Sequence, residues 1–290
     1  MALPPGLLLG ALGVVAFSFT MPATRLAVAD LDPFFIAFGR AVVAGLLGVA
    51  VLRATRASRP TTSQLRSLAV VVLGVVVGFP LLTSLALHRV PASHGAVVVG
   101  VLPAATAVAA VLRAGERPTR AFWLASAAGL VAVLAFAASQ GGGQLGVPDA
   151  ELLGAVTLCA LGYAEGGRLS RTLGGATTIC WALTLALPVT TLVAAADVVH
   201  RTPHAGATAW LGFAYVSVIS MFLGFFAWYA GLARGGIAKI GQVQLAQPVL
   251  SLIWAALILG ERIGATTVAA ALAVLVAVVA TQRTRVAGRP

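Results

Sequence analysis

The chain alternates between long apolar runs and short polar connections. A helix needs about 20 mostly apolar residues to cross a bilayer, and a lone strand would leave its backbone unpaired in lipid. The pattern therefore predicts an all-α membrane protein with ten transmembrane helices. The ten segments lie near residues 5–26, 34–52, 67–87, 92–112, 121–139, 151–168, 176–196, 209–231, 237–259 and 264–281.

The composition agrees with a lipid environment. Of the 290 residues, 60% are hydrophobic and 9% are charged, and the mean hydropathy is +1.00. Soluble domains carry about 25% charged residues, so the lipid bilayer is the expected surrounding. The formal net charge is +11, but the basic residues cluster between apolar runs and form no stripe with aromatic residues. No nucleic-acid partner is predicted.

The basic residues also predict an orientation. With the N-terminus placed inside, all but five of the nineteen Lys and Arg residues fall on the inner side. Because these residues concentrate on the cytoplasmic side of membrane proteins, we expect a multi-pass protein of the bacterial inner (plasma) membrane with both termini cytoplasmic. The five exceptions are Arg25, Arg40, Arg89, Arg201 and Arg262.

The two halves of the chain match without gaps when one is shifted by 145 positions. The match divides the chain into a first five-helix repeat (1–140), a Gly-rich linker (141–150) and a second five-helix repeat (151–290). Since five is odd, the second repeat is inverted in the membrane relative to the first. The informative matches are Arg89 with Arg234, Pro103 with Pro248, and Gly115-Glu116-Arg117 with Gly260-Glu261-Arg262.

Inverted repeats of this kind are typical of secondary transporters that work by alternating access. The sequence contains no HExxH, GxSxG or P-loop motif, so we expect neither an enzyme nor direct use of ATP. No cofactor is predicted. A membrane-embedded enzyme and a non-transporting scaffold remain the alternatives.

Three segments resemble the EamA-type members of the drug/metabolite transporter superfamily. They are Pro33-Phe34-Phe35-Ile36-Ala37-Phe38-Gly39-Arg40-Ala41, the fourth span ending in Gly115-Glu116-Arg117, and its ninth-span counterpart from Gln247-Pro248 to Gly260-Glu261-Arg262. The resemblance covers nearly the whole chain. One segment differs, since the first span reads Phe17-Ser18-Phe19-Thr20 where many relatives have a Trp-Gly-Ser type sequence.

The resemblance implies a basket-like fold with a central cavity lined mainly by spans 1, 3, 4, 6, 8 and 9. Members of the family export amino acids, notably aromatic ones and threonine, as well as other metabolites and drugs. We therefore expect export of small metabolites, with aromatic amino acids as the first candidates. A monomer is compatible with this scheme.

Two matched prolines, Pro103 and Pro248, lie within the fourth and ninth spans. A proline inside a helix removes a backbone hydrogen bond and kinks the helix. Matched broken helices point to the binding site of a transporter, so these prolines are hinge candidates. The alternative is that the kinks only improve helix packing.

The ninth span carries a polar stripe with spacings of three and four residues. Such spacing places all four side chains on one helix face. The stripe either lines the cavity or bonds to neighbouring helices. Its members are Gln244, Gln247, Ser251 and Trp254.

Aromatic residues in the sixth and eighth spans are further candidates for substrate contact. Tyr163 lies in the sixth span, and Trp228 belongs to an aromatic-rich eighth span together with Tyr215, Phe225 and Tyr229. These rings are suited to stacking on a flat apolar substrate. Some of them are equally suited to an interfacial belt.

Three ionisable residues lie within apolar runs. His94 is a candidate for substrate binding and proton coupling, or for an interhelical hydrogen bond. Glu165 is a second candidate for proton coupling, although Arg168 three residues later favours an ion pair. For Arg40 we favour a structural role, in which it snorkels outward or pairs with backbone carbonyls.

No metal site is predicted. Asp197, His200 and His204 lie close together in the seventh connection. However, Pro203 breaks the helix that would align the two histidines, so this group is not assigned to a metal.

Overall fold

The fold is a bundle of helices, several of which are interrupted. The computed structural model describes residues 5–114, 117–140, 145–235, 240, 242–283 and 286–287. Gly115, Glu116 and linker residues 141–144 lie outside these ranges. The first part of the chain forms α1 (Pro5–Ser18), α2 (Thr20–Ala27), α3 (Pro33–Ala54), α4 (Thr62–Val71), α5 (Phe79–Arg89), α6 (Ala92–Val99), α7 (Leu102–Ala114) and α8 (Arg120–Gln140).

The second part of the chain repeats this order. It forms α9 (Val147–Leu173), α10 (Gly175–His200), α11 (Ala207–Ala214), α12 (Gly224–Gly235), α13 (Ala246–Leu259) and α14 (Ala265–Arg283). A two-residue antiparallel pair joins β1 (Arg117–Pro118) to β2 (Val286–Ala287). Apart from this short pair, the regular structure of the described residues is helical, which confirms the predicted all-α class.

Seven helical stretches are long and apolar enough to cross a membrane, judged by length and composition. They are Pro5–Ala27, Pro33–Ala54, Thr62–Arg89, Ala92–Leu112, Val147–Leu173, Gly175–His200 and Ala207–Gly235. Three shorter apolar helices follow the same pattern at Trp123–Phe136, Ala246–Leu259 and Ala265–Ala277. Large apolar side chains such as Leu192 and Leu257 are exposed, as expected for a surface in contact with lipid.

Helix α9 begins earlier than the sequence pattern indicates. Residues 147–150 of the predicted linker belong to this helix. Pro148 lies in its first turn, where a missing N–H costs nothing, and Asp149 Oδ2 accepts a hydrogen bond from Gly146 N at 2.8 Å. A local cap therefore extends the helix into the Gly-rich segment.

Two of the long apolar stretches, Pro5–Ala27 and Ala92–Leu112, are each interrupted within their length. The first break, at Phe19, separates α1 from α2. The second, at Gly100 and Val101, separates α6 from α7, and Pro103 lies in the first turn of α7. A proline is tolerated in a first turn because its missing N–H has no partner there anyway.

The interruptions follow the 145-residue repeat. A 3₁₀ turn at Gln242–Leu245 precedes α13. The 145-residue shift places Gly100, at the break before α7, on Leu245 at the end of this turn. A π-helical segment at Val72–Gly78 joins α4 to α5, and another at Tyr215–Leu223 joins α11 to α12. The shift places residues 72–78 on residues 217–223, within the second π-helical segment. Among the described residues, the α1–α2 break has no counterpart in the second half, because α9 is continuous.

Equivalent helices also pack against each other. Helix α3 packs along α10, and α8 packs along α14. The shift superimposes the members of each of these pairs in sequence. Helix α1 packs along α12, and α9 contacts α4, α5 and α7. Both halves thus contribute to one continuous core.

One close crossing lies between the first π-helical segment and α9. A Cβ added at Gly74 would overlap the carbonyl oxygen of Leu158 and lie 3.1 Å from the Cα of Gly162. A Cβ at Gly162 would lie 2.6 Å from Val75 Cγ2. The two backbones can approach this closely only because both positions are glycine.

We predict that Gly74→Ala lowers the stability of the purified protein by about 1–3 kcal/mol, as overpacking does. The added methyl group would meet a backbone oxygen, which cannot rotate away. Gly154→Ala in α9 is the matched control, because its Cβ would meet only the flexible end of Leu82 at 3.2 Å. Thermal unfolding followed by tryptophan fluorescence measures both. Equal melting temperatures for the two variants would contradict the close crossing.

Candidate functional site

A small central cavity lies where the interrupted helices converge. It has room for about one water molecule. Most of its wall comes from residues beside a helix break or within a π-helical segment. The lining residues are Phe17, Thr20, Arg40, Val75, Phe79, Leu102, Cys159, Tyr163, Ser220, Phe225 and Gln247. We call this space the central cavity.

One side of the central cavity is aromatic. The ring centroids of Phe17 and Phe225 lie 4.9 Å apart, and those of Tyr163 and Phe225 lie 5.9 Å apart. Trp228 packs behind this wall, 5.6 Å from Tyr163 and 6.1 Å from Phe17. These distances are typical of favourable aromatic pairs. The wall is thus a rigid apolar surface built from α1, α9 and α12.

The central cavity is also lined by polar residues. Thr20 Oγ1 and Ser220 Oγ share a hydrogen bond of 2.8 Å that joins α2 to the second π-helical segment. Gln247, from the first turn of α13, also lines the space. Arg40, whose side chain is buried, lines the cavity as well. The lining thus combines aromatic rings with a cation and several neutral polar groups.

The break between α1 and α2 is held by the second half of the chain. Ser251 Oγ donates to the carbonyl oxygen of Ser18 at 2.6 Å, and Trp254 Nε1 donates to Ser18 Oγ at 3.0 Å. Tyr215 donates to the carbonyl oxygen of Ala16 at 3.0 Å. Backbone groups freed inside a membrane protein need such partners. Two members of the polar stripe, Ser251 and Trp254, therefore stabilise an interrupted helix.

The two matched prolines line a second, smaller cavity beside the first. Pro103 and Pro248 meet there, together with Gly100 at the α6–α7 break. A Cβ on Gly100 would lie 3.1 Å from Pro248 Cγ. Gln244 and Gln247 complete the polar part of this space. The breaks preceding α7 and α13 thus face each other.

At one end of the bundle, polar contacts join the two halves. Each contact links a residue before position 140 to a residue after position 145. The contacts are Arg201 Nη1 to Asp32 Oδ2 (2.6 Å), Gly206 N to Asp30 Oδ2 (2.9 Å), Arg89 Nη2 to Glu151 Oε1 (2.9 Å), His94 Nε2 with Asp149 Oδ1 (2.7 Å), and the amides of Ala92 and Ser93 to the Glu261 carboxylate (2.8 Å each). We call them the polar end cluster. It closes this end of the bundle.

The structure separates the residues singled out from the sequence into groups. Tyr163 and Gln247 line the central cavity, whereas Gln244, Ser251, Pro103 and Pro248 line the smaller one. Trp228 stands behind the aromatic wall and Trp254 supports Ser18. His94 belongs to the polar end cluster. Glu165 is buried and pairs with Arg168 on its own helix.

Several residues of the central cavity and of the polar end cluster did not follow from the sequence pattern. Thr20 and Ser220 are small polar residues within apolar runs, which was the available signal. Asp149 was assigned to the linker, so its pairing with His94 was missed. Glu261, at the end of the ninth span, accepts two backbone amides at the start of α6, a contact that the sequence pattern did not indicate. A carboxylate is favoured there by the helix dipole.

The apolar helices indicate a multi-pass membrane protein, and interrupted backbone around an internal cavity is typical of carriers. A family model described as the EamA-like transporter family matches residues 4–138 and again residues 150–282. The chain therefore belongs to the EamA-like transporter family.

Comparison with individual proteins agrees with this assignment. The chain is 48% identical over 274 residues to the "Uncharacterized transporter YdeK" of Bacillus subtilis (strain 168), covering 94% of this chain and 96% of that protein. It also resembles a chain of known crystal structure with a TM-score of 0.68 at 17% identity, covering 96% of each chain. At that identity the likeness concerns the fold alone.

We predict that the buried His94–Asp149 contact dominates the stability of the polar end cluster. His94→Ala should destabilise the protein by about 3–5 kcal/mol, because it leaves a buried carboxylate without its partner. Arg89→Ala is the matched control, since its side chain is 43% exposed and surface pairs contribute about 0–1 kcal/mol.

A double-mutant cycle checks the contact. The loss of stability in the combined His94→Ala and Asp149→Ala variant should be clearly smaller than the sum of the two single losses. Thermal unfolding of the purified variants provides the measurement. Additive losses would show that the two side chains act independently.

Proposed function

We propose that this protein is a secondary carrier that exports small metabolites across the inner membrane by alternating access, with aromatic amino acids as the first candidates. The observation that carries the proposal is the convergence of interrupted helices from both halves on one cavity with an aromatic wall. Interrupted backbone at membrane depth occurs where it lines a cavity or is buried in protein, and carriers place their substrate sites there.

Under this proposal the chain has ten spans in two inverted five-helix repeats. The family model's two matches support the division into halves. The matched π-helical segments and the matched breaks before α7 and α13 support it further. Three of the ten spans contain apolar helical stretches of only 10–17 residues, and they would cross the membrane together with the residues that flank these stretches.

The proposed orientation places both termini in the cytoplasm. The polar end cluster then lies on the outer side, because it contains the turns after the first, third, seventh and ninth spans and the start of the sixth. The closed end would face outward, so the described form would be shut to the exterior. Export would require the cluster to open.

Aromatic amino acids are favoured by the rings of Phe17, Tyr163 and Phe225, which line the central cavity. Flat rings stack on such walls with favourable energy. The family and the relative are both described as transporters, which favours transport over catalysis or a scaffolding role.

We predict saturable flux of labelled phenylalanine, tyrosine or tryptophan in proteoliposomes containing the purified protein. Phe225→Leu should weaken the apparent affinity about 2–10-fold, because it removes one aromatic contact from the cavity wall. Phe226→Leu is the matched control, since Phe226 packs on Phe222 and does not line the central cavity. No flux above protein-free liposomes, from protein shown to be folded, would contradict the amino-acid assignment.

Proton coupling is proposed as a second feature, through His94 in preference to Glu165. The His94–Asp149 contact bridges the halves, whereas Glu165 pairs with Arg168 on the same helix. A proton on the bridging pair can therefore bias the opening of the polar end cluster. Neither residue lines the central cavity, so the proton would act on the opening of the polar end cluster and not on the substrate directly.

We predict that His94→Gln abolishes the response of flux to an imposed pH gradient but keeps substrate exchange at equal pH. Glu165→Gln should keep both. Flux measured with and without a gradient tests the two variants. If both variants retain the wild-type gradient response, coupling through these residues is wrong.

A further inference from the structure

Arg40 is a buried cation at membrane depth. It lies about 10 Å along α3 from its first residue, and its side chain and backbone together are 2% exposed. Of the two structural roles considered for Arg40, outward snorkelling and pairing with backbone carbonyls, its burial contradicts the first. Nε and Nη1 are buried and have no hydrogen-bond partner among the described residues. Such groups are costly to bury in an apolar surrounding, and most have a partner.

Two other arginines of the described chain, Arg25, which is partly buried, and Arg168, which is exposed, have partners that Arg40 lacks. Arg25 donates to the carbonyl oxygens of Leu87 at 2.5 Å and His88 at 3.2 Å. Arg168 pairs with Glu165 and donates to Ser67. These two arginines have structural partners that account for their positions. Arg40 instead lines the central cavity.

The charge of the cavity wall indicates the charge of its ligand. Among the lining residues that the structure describes, Arg40 carries the one formal charge, and no Asp or Glu is present. A ligand with a single negative charge would therefore neutralise the site. A cation would find no acidic partner on this wall.

The neighbouring polar groups suit a carboxylate. In the Thr20–Ser220 pair one hydroxyl donates to the other, and the accepting hydroxyl retains its own O–H for a ligand oxygen. A guanidinium presents parallel N–H donors that match the two oxygens of a carboxylate. The aromatic rings that line the same cavity match an apolar or aromatic body.

We infer that Arg40 is the anion-binding residue of the central cavity and that it binds the carboxylate of a cargo with one carboxylate and an apolar or aromatic body. That this ligand is transported rests on the proposed function, whereas the binding of an anion at Arg40 does not depend on it. Amino acids and simple aromatic acids both contain this group. Because the described cavity has room for about one water molecule, binding requires the walls to move apart.

Titration calorimetry on the purified wild-type protein tests the site with three probes that share a phenyl ring. They are 3-phenylpropanoate, which carries only a carboxylate, L-phenylalanine, which carries both charges, and 2-phenylethylamine, which carries only an ammonium. The two carboxylates should bind at least about tenfold more tightly than the amine, as expected for hydrogen bonds between charged groups. Tighter binding of 3-phenylpropanoate identifies aromatic acids as the preferred source of the carboxylate, and equal binding identifies amino acids.

Variants of Arg40 then test the residue itself. Arg40→Met should weaken carboxylate binding by at least about tenfold. Arg40→Lys should give an intermediate loss, because lysine keeps the positive charge but lacks the parallel N–H donors of the guanidinium. Arg25→Met is the matched control, which removes one positive charge outside the cavity and should keep binding. Circular dichroism and thermal unfolding confirm that each variant is folded.

The inference is overturned if 2-phenylethylamine binds as tightly as the carboxylates, if no carboxylate binds, or if folded Arg40→Met binds them like the wild type. The wild-type comparison remains decisive should Arg40→Met fail to fold. Binding without flux would contradict the proposed transport and leave the anion site standing. Flux of aromatic solutes without carboxylate preference would contradict the anion site alone.

Discussion

The need to satisfy every backbone polar group away from water is the constraint on which this fold depends. Lipid offers no hydrogen bonds, so an interrupted helix must turn its freed groups toward protein or a cavity. The breaks at Phe19 and Gly100, the turn before α13 and both π-helical segments obey this rule by facing each other. For example, the carbonyl oxygen of Ser18, beside the break at Phe19, accepts a hydrogen bond from Ser251. The position of the cavity follows from it.

Much of the fold was predictable because long apolar runs and prolines have few structural solutions in a membrane. The runs predicted the helices, and the matched prolines predicted the breaks before α7 and α13. The break at Phe19 was not predictable, since no proline or glycine occupies that position and its stability comes from Ser251 and Trp254, more than 230 residues away in sequence. The π-helical segments were missed for a related reason: their sequences read as ordinary apolar helix.

The candidate site was predictable only in part. Tyr163 and Gln247 followed from aromatic content and helical spacing, and both line the central cavity. Arg40 was visible as a charge within an apolar run, but spacing does not tell a snorkelling arginine from one that faces a cavity. That distinction depends on which helices cover α3. His94 likewise needed Asp149, a partner whose helix begins inside an apparent linker.

The distribution of charge separates the two regions by physical role. In the polar end cluster, Arg89 and Arg201 are 43% and 73% exposed, so water can replace their partners and each pair contributes about 0–1 kcal/mol. These two exposed contacts separate at little cost, unlike the buried His94–Asp149 contact of the same cluster. Arg40 is buried and its Nε and Nη1 have no partner among the described residues, so a ligand anion would satisfy donors that are costly to leave unpaired. A ligand that supplies the missing negative charge would thus act at the point where the two halves meet, while the exposed pairs at the end of the bundle exchange with water. Within the proposed mechanism, this contrast gives substrate binding more influence over the equilibrium between conformations than the exposed pairs of the polar end cluster have.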